Sequence, residues 1–271
     1  MSTPSLRDRP LRILGGRPLG FVARNVAQSR NYVALANMTR RYRDPLPAAL
    51  RYFTGRGSYP ARVAVRTPSG TLRPTLWSPD DMITLNEMFC REDYRVRRPP
   101  RLVVDVGSNI GLSALYFMSR GPSVRCHLYE PVTRNAERLR LNLRGFEDRY
   151  ELEQVAVADF AGQSAFRLEQ TGRYGGLGGS LPDMTTVRVE HIDAVLERAL
   201  AAADTISVLK IDVEGDEGRL LGAARADLLA RVELIYVEAF QIEVAVPDGF
   251  VASEACDTLC MRNTALSAAR G

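Results

Sequence analysis

The stretch LVVDVGSNIG, residues 102–111, joins an apolar run to two glycines and is followed by LSALYFMSR at residues 112–120. Residues 102–106 contain four apolar positions and are too short for a helix before the first glycine, so they predict a buried strand. Apolar residues then resume at helical spacing over residues 112–120. A strand, a glycine turn and a helix start direct free backbone N–H groups into one crevice, which is typical of a nucleotide-ligand site.

The carboxylate of Asp105 distinguishes this turn from that of a dinucleotide site. Dinucleotide folds carry the pattern G-x-G-x-x-G, whereas Asp105, Gly107, Asn109 and Gly111 give D-x-G-x-N-x-G. A carboxylate at the strand end suits a ligand with an ammonium group and a sulfonium beside its ribose, which is S-adenosylmethionine. We therefore expect Asp105, Gly107, Ser108, Asn109 and Gly111 to bind this cofactor. A strand–turn–helix without a ligand and an NAD(P)-dependent oxidoreductase are the alternatives.

Strand and helix patterns alternate over residues 101–271 and predict an α/β, Rossmann-like, doubly wound and mostly parallel sheet. The predicted strands are residues 102–106, 125–130, 151–158, 206–212 and 232–239, with a final strand DTLCMRN at 257–263. The predicted helices are residues 112–120 and 133–145 and a third that begins at Asp193. The glycine-rich residues 159–181 predict a mobile loop beside a hairpin.

Residues 1–100 predict an N-terminal extension made of helices and a β-hairpin. The predicted elements are helices at 22–42 and 47–53, a hairpin of 61–66 and 71–77 around TPSG, and a helix that Ser78 or Asp80 caps. The extension has no internal repeats and is too small to predict as an independent domain.

Composition limits the class of protein. A hydrophobic content of 45% and a charged content of 25% in 271 residues are ordinary for a globular protein. No run approaches the roughly eighteen apolar residues of a membrane span. The first twenty residues lack the apolar core of a signal peptide, so a cytoplasmic protein is expected. Four scattered cysteines predict reduced thiols and no metal site.

Charge is distributed unevenly along the chain. Residues 1–101 hold 19 arginines and 7 acidic residues, a net charge of +12, whereas residues 102–271 hold 17 basic and 25 acidic residues, a net charge of −8. A basic front half suits an anionic partner such as a phosphorylated sugar, nucleic acid or a membrane surface, and solvated arginines are the alternative. No basic run is interleaved with aromatics, so nucleic acid is not an expected partner.

Acidic residues also follow the next predicted strands. Glu130 comes 19 residues after Gly111, where a carboxylate can accept hydrogen bonds from both ribose hydroxyls. An acid at this position is shared with NAD-binding proteins, so it indicates a nucleoside without deciding which one. Asp159, or the backbone near Val157, lies where an adenine amino group would be recognised, and a simple turn is the alternative.

The second dense stretch is LKIDVEGDEG, residues 209–218. Lys210 is the single lysine of the chain, and it shares one side of a strand with Asp212. We expect both to flank an acceptor hydroxyl, with Asp212 orienting it and Lys210, together with His191, taking the proton or stabilising its charge. The alternatives are an ion pair of Lys210 with Glu214 or Glu238, an acidic turn or divalent-ion site at 212–216, and a solvent-facing His191.

Taken together, these motifs resemble the FkbM-type methyltransferases, a branch of the class I S-adenosylmethionine-dependent enzymes. The resemblance covers roughly residues 45–240 and is carried by VVDVGSNIGLSALYF, LYEPV, VAVADFAG, GGS, HIDAVL and KIDVEGDE. It implies a Rossmann-like fold and methylation of a hydroxyl on a sugar, polyketide or related natural product. It also implies that Asp105, Gly107, Asn109, Gly111 and Glu130 contact the cofactor.

The chain departs from the family pattern after Glu238, where Ala239-Phe240 stands in place of a frequent histidine. The region that follows shows no clear helix before the final predicted strand. A further alternative is therefore a cofactor-binding but non-catalytic protein that recognises a partner or a glycan. The sequence leaves the identity of the acceptor and the oligomeric state, including a homo-oligomer, open.

Overall fold

The structure is a computed structural model that describes residues 12–13, 17–18, 29–168, 175–177, 183–213, 215–238, 244–255 and 258–268. The chain divides into two compact units, residues 1–66 with 71–92 and residues 67–70 with 93–271. Residues 93–100, which the sequence analysis placed in the extension, thus belong to the larger unit. There the hydroxyl group of Tyr236 donates to the carbonyl of Arg95 at 2.6 Å, and the Tyr94 and Tyr236 rings pack edge to face.

In its described residues, the smaller unit contains three helices and short strands. Its helices are α1 (Ser29–Arg41), α2 (Pro45–Thr54) and α3 (Pro79–Asn86), followed by one π-helical segment, Glu87–Arg91. The described strands with residues in this unit are β1 (Arg12–Ile13), β2 (Arg17–Pro18), β3 (Ala61–Arg62), β4 (Val65–Thr67), β5 (Gly70–Leu72) and β6 (Thr75–Leu76). β3 pairs with β6 and β4 with β5, which confirms the predicted hairpin.

The start of α3 follows directly from its sequence. Ser78 occupies the N-cap and its hydroxyl accepts from the Asp81 N–H, while the Asp81 carboxylate accepts from the Ser78 N–H at 3.0 Å. This capping box satisfies two N–H groups that the helix leaves unpaired. Of the two predicted caps, Ser78 is the one used.

The larger unit is built on a seven-stranded sheet with the order β16-β17-β15-β14-β7-β8-β9. Its strands are β7 (Leu102–Val106), β8 (Arg125–Tyr129), β9 (Tyr150–Glu153), β14 (Val208–Ile211), β15 (Leu234–Glu238), β16 (Phe250–Ala255) and β17 (Thr258–Asn263). Its helices are α4 (Leu112–Met118), α5 (Thr133–Asn142), α6 (Ile192–Ala202), α7 (Glu217–Ala223), α8 (Ala226–Leu229) and α9 (Thr264–Ala268). β9, β8, β7, β14 and β15 are parallel and β17 and β16 are antiparallel, so the predicted mostly parallel sheet is confirmed.

The order of these strands fixes where a ligand can bind. The chain runs from β7 outward through β8 and β9, then returns to place β14 on the other side of β7. This reversal leaves a crevice at the carboxyl ends of β7 and β14, which is the usual ligand position in such sheets.

The predicted third strand, residues 151–158, is wrong as a single element. It breaks after Glu153, and β10 (Ala156–Ala158) joins a second sheet of order β10-β13-β11-β12. The other strands of that sheet are β11 (Gly162–Leu168), β12 (Gly175–Leu177) and β13 (Asp183–His191). The glycine-rich segment therefore contains paired strands, because alternating residues such as Phe166, Val187 and Val189 build a small core with Ala158. Residues 169–174 and 178–182, which include the GGS motif, lie outside the described residues.

The carboxyl-terminal part contains one strand more than the sequence predicted. β17 confirms the final strand, and β16 pairs with it along the edge of the sheet. Ser253 and Glu254 interrupt the apolar residues of β16, so this edge strand lacks the pattern that would have revealed it. Residues 239–243, where the sequence departs from the family pattern, lie outside the described residues.

Two further features of the described residues are the burial of the cysteine thiols and the length of the helices. Cys90 and Cys126 are buried thiols and Cys260 is a half-buried one, while Cys256 lies outside the described residues. Within the part of the chain that the structure describes, no helix has the length and apolar character needed to cross a membrane.

Candidate active site

The glycine turn after β7 is shaped by the backbone of the neighbouring strand. Gly107 has a φ of +82°, and a Cβ atom there would lie 1.8 Å from the backbone oxygen of Asp212. Only glycine avoids that clash, so Gly107 lets the two strand ends approach closely. Asn109 also adopts a positive φ, 47°, and Gly111 forms the N-cap of α4.

Ser108 ties this turn to the adjacent strand. Its hydroxyl group donates to the carbonyl of Asp105 at 2.8 Å and accepts from the Tyr129 N–H at 3.2 Å. The N–H groups of Gly107 and Ser108 both donate to the Tyr129 carbonyl at 3.0 Å. These bonds hold the turn in one position above the sheet.

A buried ion cluster joins β7 to β14 at the point where the strand order reverses. The parallel register sets Lys210 opposite Asp105, and the Lys210 Nζ lies 3.1 Å from Asp105 Oδ1 and 3.1 Å from Asp212 Oδ2. Nζ also donates to the carbonyl of Gly107 at 3.2 Å, and Ser113 Oγ donates to Asp105 Oδ2. Lys210 therefore connects both strand ends to the glycine turn.

The charge state of Lys210 follows from this environment. Burial by itself lowers the pKa of the ammonium group, while the charges of Asp105 and Asp212 and their hydrogen bonds raise that pKa by more. The net pKa lies above the ordinary value of lysine, so the group stays protonated. A permanent cation can stabilise negative charge but is a poor proton acceptor.

Glu130, directly after β8, is the second buried carboxylate. One oxygen accepts from the Asn109 N–H at 2.8 Å, and the other accepts from the Val132 N–H at 2.9 Å and the Asn135 side chain at 3.4 Å. Burial raises the pKa of Glu130 to about 7, although the hydrogen bonds from Val132, Asn109 and Asn135 and the charge of Lys210 oppose that change.

Both strand ends open onto one crevice, which is partly open to solvent. Six of the predicted site residues line it, namely Gly107, Asn109, Glu130, Val157, Asp159 and Asp212. Polar groups of the crevice lie at the ends of β7, β8 and β14. Val132, Val155 and Leu220 form an apolar part of its wall.

Phe166 and Arg219 are among the residues of the crevice wall that were not predicted. Phe166 comes from β11, a strand that the glycine-rich segment concealed, although its alternating pattern was a usable signal. Arg219 on α7 lies 3.3 Å from the carboxylate of Asp159, which it meets across the crevice. No feature of the sequence pairs these two residues.

Asp105, Ser108, Gly111 and Lys210 do not line the crevice. Asp105 is fully buried behind its wall, and Ser108 and Gly111 shape the turn. Their direct contacts with a cofactor stay predictions. No group of three or more ligands suited to a metal ion occurs among the described residues, and Glu214 lies outside them.

His191 is the last residue of β13 and the N-cap of α6. Its Nδ1 accepts from the Asp193 N–H at 3.1 Å, and the residue is not part of the crevice wall. The geometry matches a helix-entry position, and its predicted part in catalysis stays a prediction.

A family model described as "Methyltransferase FkbM domain" matches residues 105–251. The match spans more than half of the chain and includes the glycine turn, both carboxylates and the Lys210 strand. The chain belongs to the FkbM methyltransferase family, as the resemblance of its motifs implied.

Among individual proteins, the chain is 29% identical over 182 residues to the 31-O-demethyl-FK506 methyltransferase FkbM of Streptomyces tacrolimicus, covering 55% of this chain and 69% of that protein. It is 27% identical over 159 residues to the 2-O-methyltransferase NoeI of Sinorhizobium fredii, covering 53% of this chain and 65% of that protein. A crystal structure of methyltransferase FkbM from Methylobacillus flagellatus aligns at 16% identity and a TM-score of 0.46, over 90% of this chain and 60% of that one.

Proposed function

We propose that this protein transfers a methyl group from S-adenosylmethionine to a hydroxyl group of a small molecule such as a sugar or a polyketide. Membership of the FkbM methyltransferase family supports methyl transfer. The names of two relatives, a 31-O-demethyl-FK506 methyltransferase and a 2-O-methyltransferase, support oxygen as the accepting atom.

Glu130 is the observation that carries the proposal. Its carboxylate is only 4% exposed, lines the crevice beside the glycine turn and forms no salt bridge with any described residue. A buried carboxylate without a cation gains stability from polar hydrogens that a ligand brings. The two hydroxyl groups of a ribose supply such hydrogens, so the residues present fit a nucleoside cofactor.

The remaining walls suit the rest of the cofactor. Val157 and Asp159, at the end of β10, offer an apolar surface and a carboxylate for the adenine and its amino group. The turn from Gly107 to Asn109 leaves room for the amino-acid portion. When bound, S-adenosylmethionine supplies a methyl group on an already electrophilic sulfonium.

The residues of the protein then have to align the acceptor oxygen with the methyl group and to assist removal of the hydroxyl proton. Asp212 lines the crevice and is held by Lys210 at 3.1 Å, so we assign to it the orientation of the acceptor hydroxyl. Lys210 stabilises the negative charge that develops nearby, since its raised pKa keeps it protonated. Of its two predicted roles, stabilising charge is the one that this environment supports.

Calorimetric titration with S-adenosylmethionine, its demethylated product, NAD and NADP tests the proposal. The first two should bind and the dinucleotides should not. Glu130→Ala should weaken cofactor binding by about 1.5–3 kcal/mol, which is typical of hydrogen bonds to a charged group. Glu151→Ala, which removes an exposed carboxylate on the neighbouring strand, is the matched control and should bind normally.

Two results would contradict the proposal. Binding of NAD alone would favour an oxidoreductase. Unchanged affinity of a correctly folded Glu130→Ala variant would remove Glu130 from the site. Incubation with hydroxylated sugars, polyketides and nucleotide sugars then separates an enzyme, which forms methylated product, from a protein that only binds the cofactor.

A further inference from the structure

Helix α2 of the smaller unit presents its larger apolar side chains to solvent. The helix buries Ala48 and Tyr52, whereas Leu46, Leu50 and Phe53 are 82%, 62% and 52% exposed. Surface helices ordinarily turn their apolar stripe toward the core. The outward stripe therefore contributes little to folding.

Leu46, Leu50 and Phe53 are spaced four and three residues apart, so they share one face of α2. We name these three residues the α2 stripe. Helix α1 adds three further exposed apolar side chains, Tyr32, Val33 and Leu35. Exposed apolar side chains that share a helix face, as in the α2 stripe, are typical of an interaction site.

The same segment is strongly basic. Residues 29–66 contain eight arginines and one acidic residue, Asp44. Five of the arginines are exposed, namely Arg40, Arg43, Arg56, Arg62 and Arg66. Within the described ranges, none of the five forms a salt bridge: Arg66, for example, donates only to the backbone carbonyls of Arg40 and Tyr42.

We propose that the α2 stripe and these arginines form a surface that binds an anionic lipid bilayer. Helices that lie in a membrane interface combine leucine and phenylalanine on one face with arginine or lysine around it. Each basic residue near an anionic bilayer strengthens binding several-fold. A nucleic acid would use the arginines but leave the leucines exposed, and an apolar protein partner would not need unneutralised arginines. The proposal does not depend on methyl transfer.

Co-sedimentation of the full-length chain with vesicles tests this surface. The chain should bind vesicles of phosphatidylcholine mixed with phosphatidylserine, and bind poorly to phosphatidylcholine alone. Replacing the α2 stripe by L46Q, L50Q and F53Q should weaken binding about tenfold or more, because that apolar surface no longer enters the bilayer. Replacing Arg43 and Arg56 by glutamine should cost about fivefold each, with a smaller loss at high salt.

A matched control replaces three apolar side chains of the larger unit that are also exposed, L141Q, V246Q and V251Q, which are 45%, 43% and 62% exposed. This variant should bind vesicles like the unmodified chain, and circular dichroism should show native spectra for all variants. The arginine variant tests the proposal independently if the α2 variant does not fold.

Four results would overturn the proposal. They are absence of vesicle binding, equal binding to neutral and anionic vesicles, full binding by the α2 variant, and displacement from vesicles by a DNA duplex of random sequence. A dimer that dissociates when the α2 stripe is replaced would also overturn it, because a second copy would then cover the stripe.

Discussion

Asp105 and Glu130 are two buried carboxylates on neighbouring strands of one sheet, and they differ in what neutralises them. Asp105 lies within 3.1 Å of the Lys210 ammonium group. Glu130 accepts hydrogen bonds from the backbone at Asn109 and Val132 and from Asn135, and has no cation in salt-bridge contact among the described residues. The carboxyl ends of two neighbouring strands thus carry a permanently charged ion cluster and a carboxylate that can change its charge near neutral pH.

The difference originates in which strand lies beside each carboxylate. β14 runs beside β7 and sets Lys210 opposite Asp105. β9 runs beside β8 and offers the Glu130 N–H only a backbone carbonyl, that of Glu153 at 3.1 Å. The cation is therefore a consequence of strand order, because β14 reaches β7 only after the chain reverses direction across the sheet.

The largest effect is expected from removing the cation. Lys210→Met should lower the free energy of unfolding by about 3–5 kcal/mol, because Asp105 is then a buried and unpaired charge. Urea denaturation measures the change. Asp212 contributes less to the loss, since its side chain is 23% exposed and water can replace Lys210 there.

The double variant Lys210→Met with Asp105→Asn is the matched control for this prediction. Asparagine keeps an acceptor for the Ser113 hydroxyl group and removes the charge, so much of the stability should return. A loss below about 1 kcal/mol in the single variant would show that the cluster is solvated like a surface ion pair.

The second prediction concerns the titratable carboxylate. Burial raises the pKa of Glu130 to about 7, and ribose hydroxyl groups bind more strongly to its ionised form, in which both oxygens accept hydrogen bonds. Below pH 7 the free protein carries a proton that cofactor binding must displace, so the affinity for S-adenosylmethionine should fall about tenfold per pH unit. Above pH 7 the affinity for S-adenosylmethionine should no longer change with pH.

Calorimetry across pH, in buffers of different ionisation enthalpy, measures both the affinity and the released proton. Glu130→Gln should bind more weakly at high pH and should show neither the pH dependence nor the proton release. Lys210 stays charged over this range, so the ion cluster contributes no titration of its own. The same slope in Glu130→Gln would assign the titration to another group.

The sequence predicted the features that depend on local pattern. The glycine turn, the strand before it, Glu130 at the end of β8 and the helix start near Ser78 each follow from the residues within one short segment. Gly107 was predicted as a cofactor contact, and its spatial reason, the carbonyl of Asp212 at the position of its missing Cβ, required the fold.

What the sequence did not predict depends on distant segments. Lys210 was predicted to share one side of its strand with Asp212, which lies 3.1 Å from it, but the contact with Asp105, 105 positions away, was not predicted. The break after Glu153 was not predicted either, because residues 151–158 contain neither glycine nor proline while the chain passes from one sheet to another.

The smallest effect is expected from replacing His191. These variants test whether His191, rather than Glu130, causes the pH dependence of cofactor affinity. Histidine is the residue type that ordinarily titrates in this range, but His191 caps α6 and does not line the crevice. His191→Asn should preserve the cap and cost little, whereas His191→Ala should cost about 1 kcal/mol of stability. Both variants should keep the pH dependence of cofactor affinity that Glu130 sets. If that dependence disappears in His191→Asn, the titrating group is His191; if turnover alone falls by about two decades or more, His191 acts on the acceptor proton.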